Sequence, residues 1–528
     1  MTKPFDLVVH GATGFTGRLV VEYLLQRYPA GSGLRWAMGG RNADKLAAVR
    51  DEVGAPADTP LVVTDTSNPA SLQALMDATR LVLTTVGPYQ LYGNELVAAC
   101  AQAGVDYVDL CGEPAWMRQM IDAYEAAAKA SGARIVFSCG FDSIPFDLGV
   151  FLLQTEMKAR FGQPASRVRG RVRKMKGTFS GGTAASLKAT LAAAASEPGV
   201  LDLLRDPFAL TPGFTGPRQP SGSKPMVDEA LGTVGGDGVW VAPFVMAAIN
   251  TRNVHRSNFL LQHAYGTDFV YDEMLITGPG EKGEAIANAV AGDKSLGSDK
   301  GPKPGEGPSR EEREAGHYDV LFLGEDAQGH RLSVAVTGDR DPGYGSTSKM
   351  IAEAAVCLLE NRSTPGGIWT TAPALGQALM QTMANALPWR IVKPFPQLMT
   401  RYLCGRETAE DLGLNQPVPW LSALLFWGVL LLARLIDTVV GMLLPRFSIV
   451  RMLTRALGYH FMSRVLMSQT RPLQLPTELL NQVDEVVHSW SDDPHAPDWI
   501  NRIEDRLTTH GSWSPGLART AQTARSAE

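Results

Sequence analysis

The chain has 528 residues, a formal net charge of −5 at pH 7 and 20% charged residues. Its length exceeds that of one ordinary hydrophobic core, so we expect two or three domains. The mildly acidic composition excludes the strongly basic surface that is typical of nucleic-acid-binding proteins, and no nucleic-acid partner is expected.

The first residues enter a predicted strand at once and leave no room for the three parts of a signal peptide, which predicts a cytoplasmic protein. The cysteines are scattered, with no CxxC pair and no histidine at metal-ligand spacing. We therefore expect reduced thiols and no metal site. The five cysteines are Cys100, Cys111, Cys139, Cys357 and Cys404.

Residues 5–138 alternate short β-branched runs with amphipathic stretches that carry apolar residues at helical spacing. Six strands joined by five crossover helices predict a doubly wound parallel sheet, and we assign a Rossmann domain to residues 1–150. The predicted strands are FDLVVH, LRWAMGG, PLVVTD, RLVLTTVG, DYVDLCG and ARIVFSCG.

A glycine-rich turn, HGATGFTG, joins the first predicted strand to the first helix. Gly11, Gly14 and Gly17 allow the backbone to approach a pyrophosphate that faces a helix N-terminus. Their GxxGxxG spacing is a variant common in NADP-dependent enzymes. The residues between them (Thr13, Phe15 and Thr16) would supply further backbone donors and hydroxyls. The alternative is a strained turn without a ligand.

The ends of the next strands predict the rest of a cofactor site. Arg41 follows the second strand, where an NAD enzyme places an acid for the ribose 2'-hydroxyl. We therefore predict NADP(H), with Arg41 on the 2'-phosphate, although a solvated surface charge is the alternative. Asp65 is expected near the adenine edge. Gly87, Pro88 and Tyr89 are expected over the nicotinamide ribose.

Two Tyr–Lys pairs bear on the catalytic group. Tyr124 with Lys129 and Tyr344 with Lys349 are each five residues apart, so the two members of a pair lie on different faces of a helix. The Tyr–Lys mechanism of short-chain dehydrogenases, which needs a spacing of four, is therefore rejected.

Polar residues at strand ends remain as weak catalytic candidates: Asp109, Glu113, Asp142 and Ser143, with Cys139 beside them. A carboxyl there could donate a proton if burial raised its pKa. The structural alternatives stay open. Asp142 or Ser143 also fits a helix N-cap, and Asp109 and Glu113 also fit loop-organising roles.

Residues 151–343 change to longer alternating runs, which predict a second α+β domain with a mixed or antiparallel sheet. A Gly/Pro/Lys-rich stretch at 292–312 predicts a mobile loop. Arg167, Arg169, Arg171 and Arg173 alternate and so share one strand face. That face predicts either a solvated surface or a cradle for an anionic coenzyme A or phosphopantetheine carrier. The predicted strands are SRVRGRVRKMKG, NFLLQHAYG, DFVYDEML, HYDVLFLG and HRLSVAVTG.

Two helices are predicted over 344–395, a helical hydrophobic extension over 396–505 and a disordered tail over 506–528. The run at 420–445 is long enough to cross a bilayer, but Arg434 and Asp437 interrupt it. Peripheral contact of 420–470 with the inner face of the cytoplasmic membrane is one expectation. The alternatives are a helix that spans the membrane and a soluble role as a dimer interface or the wall of a lipid pocket.

Linked motifs across residues 5–385 resemble the saccharopine dehydrogenase-like oxidoreductase family, and most of all its trans-acting enoyl reductase branch. The resemblance implies an NADP-binding Rossmann domain, a substrate domain with a mixed sheet, and helices over 344–395 that return to the first domain. The motifs are GATGFTGRLV, GGRNADKL, VGPYQLYG, YVDLCGE, GFDSIPFDLG, GTFSGGTAAS, APFVMAAINTRNVHRSN and DPGYGSTSKMIAEAAVCLL.

The branch implies reduction of a carbon–carbon double bond in a polyketide or lipid intermediate held by a partner synthase. This favours an NADP-dependent reductase of an apolar, small-molecule or carrier-bound acyl substrate, with a homodimer as one expectation. The alternatives are an imine oxidoreductase of the saccharopine dehydrogenase type and a membrane-associated NADP-binding protein without turnover. Two departures are the position of the hydrophobic run after the second domain and Cys111 in place of a hydroxyl residue.

Overall fold

The computed structural model describes residues 3–177, 181–234, 237–293, 307–386 and 390–392. Several predicted features lie outside these residues: most of the 292–312 loop, the extension over 396–505 with its run at 420–445, the tail over 506–528, and Cys404. None of the helices described is both long enough and apolar enough to cross a membrane.

The first part of the chain forms the predicted parallel sheet, with strand order β6-β5-β4-β1-β2-β3. The order reverses beside β1, which pairs with β4 on one side and β2 on the other. A crevice therefore opens at the carboxyl ends of β1 and β4, where doubly wound folds bind ligands. The elements are β1 (Phe5–His10), α1 (Phe15–Arg27), β2 (Trp36–Gly40), α2 (Ala43–Glu52), β3 (Leu61–Val63), α3 (Pro69–Ala78), β4 (Thr79–Thr84), α4 (Tyr89–Tyr92), α5 (Asn94–Ala103), β5 (Asp106–Val108), α6 (Pro114–Ser131), β6 (Arg134–Val136) and α7 (Ile144–Phe161).

The second part forms a mixed sheet with strand order β15-β13-β12-β7-β11-β10-β8, and β9 pairs with β10. The pairing of β7 with β11 is parallel, while β12 runs antiparallel to β7 and to β13. The elements are β7 (Arg167–Lys176), α8 (Gly181–Ser196), α9 (Pro198–Arg205), β8 (Met226–Val227), β9 (Thr233–Val234), β10 (Asp237–Pro243), α10 (Ala247–Leu260), β11 (Val270–Pro279), α11 (Gly280–Gly292), α12 (Arg310–Glu314), β12 (His317–Glu325), β13 (Arg331–Gly338), α13 (Thr347–Glu360), β14 (Gly367–Trp369), α14 (Thr371–Ala386) and β15 (Arg390–Val392).

One predicted strand is wrong. The run NFLLQHAYG at 258–266 begins as the last turn of α10 and continues as a tight turn. Asn258 fixes that turn, because its side chain accepts from the backbone N–H of Tyr265 and donates to the carbonyl of Gly266. The packing of α10 therefore outweighs the local apolar alternation in setting the structure of this run, because Asn253, Val254 and Ser257 are all buried on this helix.

The first sheet has a seventh strand. β14 pairs in parallel with β6, with Gly367 opposite Arg134 and Trp369 opposite Val136. The chain therefore comes back to the first sheet after completing the second. The predicted domain division stays a prediction, but its boundary at residue 150 falls inside the single helix α7.

Helix α7 packs against the second sheet so closely at Gly149 that there is no room for a side-chain carbon. A Cβ atom at Gly149 would lie 2.3 Å from the ring of Phe322, which is fully buried on β12. At its N-terminal end, Asp147 accepts hydrogen bonds from the Thr371 hydroxyl at 2.9 Å and the Ala372 N–H at 2.7 Å. The helix that follows the first sheet is thus fixed to both the second sheet and α14.

We expect Gly149→Ala to lower the free energy of unfolding by about 1–3 kcal/mol, because the added methyl overpacks the Phe322 contact. Urea unfolding checks this. Gly199→Ala on α9 is the matched control, since a Cβ there meets no atom within 4 Å and alanine favours helix. Equal effects of the two substitutions would contradict the packing explanation.

Candidate functional site

The glycine turn has the geometry of a close backbone approach. Gly11 follows β1 with φ +90°, and a Cβ there would lie 2.7 Å from Val86. A Cβ on Gly17 would lie 2.1 Å from the carbonyl oxygen of Gly11, so α1 can approach the turn only with glycine here. Gly14 is the N-cap of α1 and supplies no capping side chain. The first N–H groups of α1 therefore lack a side-chain cap, as an anion site requires.

The loop after β4 is held beside this turn. Thr85 donates its N–H to the carbonyl of His10 at 3.1 Å. Further along, Glu113 accepts from the N–H groups of Tyr89 and Gln90 and from the Ser186 hydroxyl, each at 2.9 Å. Glu113 is 2% exposed and uses both oxygens in these bonds. Its contacts are those of a loop organiser.

Arg41 is exposed at the end of β2 and forms no ion pair with the residues that the structure describes. Its charge acts on two neighbours, His10 and Asp65. Asp65 accepts from the Ser67 N–H and hydroxyl, which lower its pKa together with the charge of Arg41. The ends of β1, β2 and β3 thus bring these three residues to one side of the sheet.

His10 was not among the residues predicted from the sequence. It is 4% exposed, its Nδ1 has no partner, and burial and the charge of Arg41 lower its pKa to about 4. His10 is therefore neutral at physiological pH. Its position directly before Gly11 was the only available signal.

Asp109 lies beneath the site and is fully buried. It accepts from the N–H groups of Cys111 and Ser138 and from the Tyr107 hydroxyl, at 2.9–3.0 Å. Burial raises the pKa of Asp109 to about 7 despite these bonds. Cys111 and Cys139 are also fully buried, and burial raises the pKa of both thiols. These three residues organise the loops and do not line the cavity described next.

A cavity of about 470 Å³ opens at the carboxyl ends of the parallel strands. Its far wall comes from the end of β7, from α8 and from the start of α10. Four predicted site residues line it, namely Thr16, Gly87, Tyr89 and Asp142. Most of the remaining wall is apolar. Among the described residues, Asp142 and Arg252 are the only acidic or basic side chains in the lining.

Asp142 differs from the other carboxyl candidates because it faces this cavity. Its Oδ1 is buried without a hydrogen-bond partner, and burial alone raises its pKa to about 7. The neighbouring Ser143 occupies the N-cap position of α7, but its side chain makes no capping bond. The Ser143 hydroxyl accepts from Asn253 at 2.7 Å instead. Asp142 can therefore hold a proton near neutral pH.

Phe15 connects the glycine turn to the opposite wall. Its ring meets Tyr344 edge to face at a centroid distance of 5.2 Å. The Tyr344 hydroxyl lies 3.1 Å from the hydroxyl of Thr183 on α8. Tyr344 lines the cavity and was considered in the sequence only as part of a rejected Tyr–Lys pair.

The alternating arginines of β7 do not share one degree of exposure, since Arg173 is exposed, Arg167 and Arg169 are half-buried and Arg171 is buried. Each has an acidic partner, and Arg171 is only 2% exposed. The pairs are Arg167 with Asp272, Arg169 with Glu325 (3.8 Å), Arg171 with Asp228 and with Asp272 (2.9 Å), and Arg173 with Asp319 (2.6 Å). The strands on either side of β7 supply Asp272, Asp319 and Glu325, and the segment directly after β8 supplies Asp228. The spacing within β7 could not indicate these partners.

Residues 7–136 match the family model described as the saccharopine dehydrogenase NADP binding domain. A protein of Mycobacterium tuberculosis named "Putative trans-acting enoyl reductase Rv2449c" is 39% identical over 407 residues, which cover 73% of this chain and 96% of the relative. A trans-acting enoyl reductase of Mycobacterium bovis is 37% identical over 411 residues, with the same coverage. The saccharopine dehydrogenase (L-Glu forming) structure of Saccharomyces cerevisiae is similar with a TM-score of 0.44 and 9% identity, covering 74% of this chain and 99% of that one.

We expect Asp142 to make stability fall as the pH rises from about 4 to 7. In this range the folded protein keeps a proton that the unfolded chain, with the ordinary pKa of 3.8, has released. The unfolding free energy of the wild type relative to Asp142→Asn should therefore drop by about 1.4 kcal/mol per pH unit, and level off above pH 7. Urea unfolding at pH 5, 6, 7 and 8 measures it. A constant difference would show that Asp142 is ionised throughout.

Proposed function

We propose that this chain, which belongs to the saccharopine dehydrogenase-like oxidoreductase family and binds NADP, reduces the carbon–carbon double bond of an apolar acyl substrate with NADPH. The observation that carries this proposal is the cavity at the ends of β1, β4, β5 and β6. It is mostly apolar and adjoins the glycine turn, and it holds one protonatable carboxyl. The names of the mycobacterial relatives support the same reaction.

The cofactor would follow the strand ends. Gly11, Gly14 and Gly17 would hold the pyrophosphate at the N-terminus of α1, where backbone N–H groups favour an anion. The residues between them (Thr13, Phe15 and Thr16) would line the same turn. Arg41 would bind the 2'-phosphate, because it is exposed and free of ion pairs with the described residues.

Two further contacts with the cofactor belong to this proposal. Asp65, held by Ser67, would border the adenine. Gly87, Pro88 and Tyr89 would border the nicotinamide ribose, in the position that Glu113 fixes through the N–H of Tyr89.

Bound NADPH supplies the hydride. The chain's own residues must then provide a proton to the carbon next to the acyl carbonyl and exclude water from it. Asp142 fits the proton donor, because it lines the cavity, retains its proton near neutral pH and has an unpartnered Oδ1. Asp109 and Glu113 fit less well, since both are buried and already bonded within the loops.

The cavity favours an acyl substrate over the amino-acid imine of a saccharopine dehydrogenase-type reaction. An imine formed from two amino acids carries several carboxylates and would need several cations. Arg252 is the only cation in the lining among the described residues. Met175, Leu191 and Val245, at 37%, 54% and 50% exposure, place apolar surface at the solvent side of the cavity. That surface suits a hydrocarbon chain.

A carrier-bound acyl group would reach the cavity past the end of β7. There Lys174 and Lys176 are exposed on either side of Met175, and neither has an ion pair with the described residues. Their charges would suit the phosphate of a phosphopantetheine arm. In this proposal the carrier would contact the tip of β7, beyond its four paired arginines.

Arg41→Gln should weaken NADPH binding about 10–100-fold and leave NADH binding unchanged, because only NADPH has the 2'-phosphate. Fluorescence titration with both cofactors measures this. Lys158→Gln on α7, an exposed cation far from the strand ends, is the control. An equal loss of NADH affinity would show that Arg41 stabilises the site and does not bind the 2'-phosphate.

Asp142→Asn should lower kcat for NADPH oxidation with a 2-enoyl thioester about 10²–10⁴-fold, without weakening NADPH binding. The wild-type kcat should fall as the pH rises through about 7, because the carboxyl must be protonated, and the variant should lack this limb. Asp202→Asn, an exposed position on α9, is the control. NADPH binding without oxidation against enoyl or imine substrates would identify a binding protein without turnover.

A further inference from the structure

A second ionisable side chain lines the cavity and was not among the site residues predicted from the sequence. Arg252 lies on α10 and is 6% exposed. Its two terminal nitrogens each donate to a backbone carbonyl, one of Ala248 and one of Leu204, and both of these residues also line the cavity. Its Nε is buried and has no acceptor. A guanidinium has five N–H donors, so most of its donor capacity is unused.

The charge of Arg252 is also without a close counterion. Among the described residues no carboxylate lies within 4.0 Å of it, and Asp206 acts on its pKa only from a longer distance. Asp142 does not offset the charge, because burial alone sets the pKa of Asp142. Burial lowers the pKa of Arg252 from a value so high that the group stays charged.

Arg256, one turn further along α10, is a buried arginine with a nearby carboxylate. It is 1% exposed, and its terminal nitrogens donate to the carbonyls of Leu210 and Ile368. However, Glu125 lies 3.6 Å from it, and Arg256 does not line the cavity. Both arginines are buried, donate to two backbone carbonyls and have an Nε without an acceptor, and they differ in their position relative to the cavity and in their counterion. The one that borders the cavity lacks an acid.

A buried cation without a counterion is unfavourable, so a ligand that brings negative charge to the cavity would complete the site. We propose that Arg252 binds the acyl oxygen of the substrate, whether a thioester carbonyl or a free carboxylate. The hydrocarbon chain would lie on apolar lining residues such as Leu187 and Ile249. This inference rests on the proposed function only for the identity of the reacting bond.

In the proposed reaction this contact strengthens as bonds change. Bound NADPH would supply the hydride for a new C–H bond at the β-carbon. The π electrons of the double bond would move to the acyl oxygen as an enolate, and Arg252 would stabilise that oxygen. The enolate then takes the proton of Asp142 at the α-carbon, which restores the carbonyl and leaves a carboxylate on Asp142. A fixed cation at the point where charge develops lowers the barrier without reorganisation.

The test begins with binding alone, in the full-length protein. Decanoate and 1-decanol have the same chain and differ in the charged head group. The wild type should bind decanoate about 10–100-fold more tightly than decanol. Arg252→Gln should abolish this preference and leave the affinity for decanol unchanged. Arg256→Gln should keep the preference even where it lowers the unfolding temperature. Retention of the preference in Arg252→Gln overturns the proposal.

A second variant separates recognition from folding. Arg252→Lys keeps the positive charge but loses the planar fork, so it should retain part of the preference for decanoate. If Arg252→Gln does not fold, the preference of Arg252→Lys for decanoate is compared with that of the wild type, and a reduced preference supports the proposal. A full preference in a folded Arg252→Lys variant, together with an unchanged kcat, would contradict a hydrogen-bonding role.

Steady-state kinetics distinguish a thioester carbonyl from a free carboxylate as the source of the acyl oxygen. With the 2-decenoyl thioester of N-acetylcysteamine, Arg252→Gln should lower kcat more than it raises KM, because the charge develops in the transition state. With free 2-decenoate it should chiefly raise KM. If the wild type prefers decanoate but oxidises NADPH with neither compound, the enoyl reductase proposal fails and the anion site stands. If the wild type shows no preference, the anion site fails whatever the turnover.

Discussion

The site of this protein depends on the packing of α7 against the second sheet. The helix starts directly after the loop that ends the first sheet, and Gly149 brings it within contact of Phe322 where no side-chain carbon would fit. Its first turn is tied to α14 through Asp147. Because the helix is fixed at both points, Asp142, at its N-terminal approach, faces a cavity that residues from both sheets enclose.

Burial then sets the electrostatic character of this cavity. Loss of water keeps a proton on Asp142, whereas the guanidinium of Arg252 stays charged in spite of its burial and has no carboxylate within 4.0 Å among the described residues. Two groups of opposite ordinary charge therefore present a neutral acid and a cation to the ligand. This combination suits a reaction in which negative charge develops on an oxygen and a proton is needed on carbon. If Asp142 and Arg252 were both ionised and paired, the cavity would offer neither a proton donor nor a free cation.

Asp142 and Asp109 could not be told apart from the sequence alone. Both carboxyls follow strands of the same sheet, and burial raises the pKa of both to about 7. Asp109 accepts three hydrogen bonds from its own loops, whereas Asp142 has an oxygen without a partner and faces the cavity. Nothing in the local sequence separates these situations. The acids that pair with the arginines of β7 could not be predicted for the same reason, since they lie on β11, on β12 and directly after β8.

The local sequence pattern predicted the alternation of six strands with helices, the glycine turn and the position of Arg41, because periodicity and the lack of a Cβ act within a few residues. It failed for residues 258–266, where the contacts of α10 decided between helix and strand. Only the tertiary structure added β14 to the first sheet, directed Asp142 and Arg252 into one cavity and paired Arg256 with Glu125. Burial and ion pairing depend on residues more than a hundred positions apart, and their sequence spacing does not record that proximity.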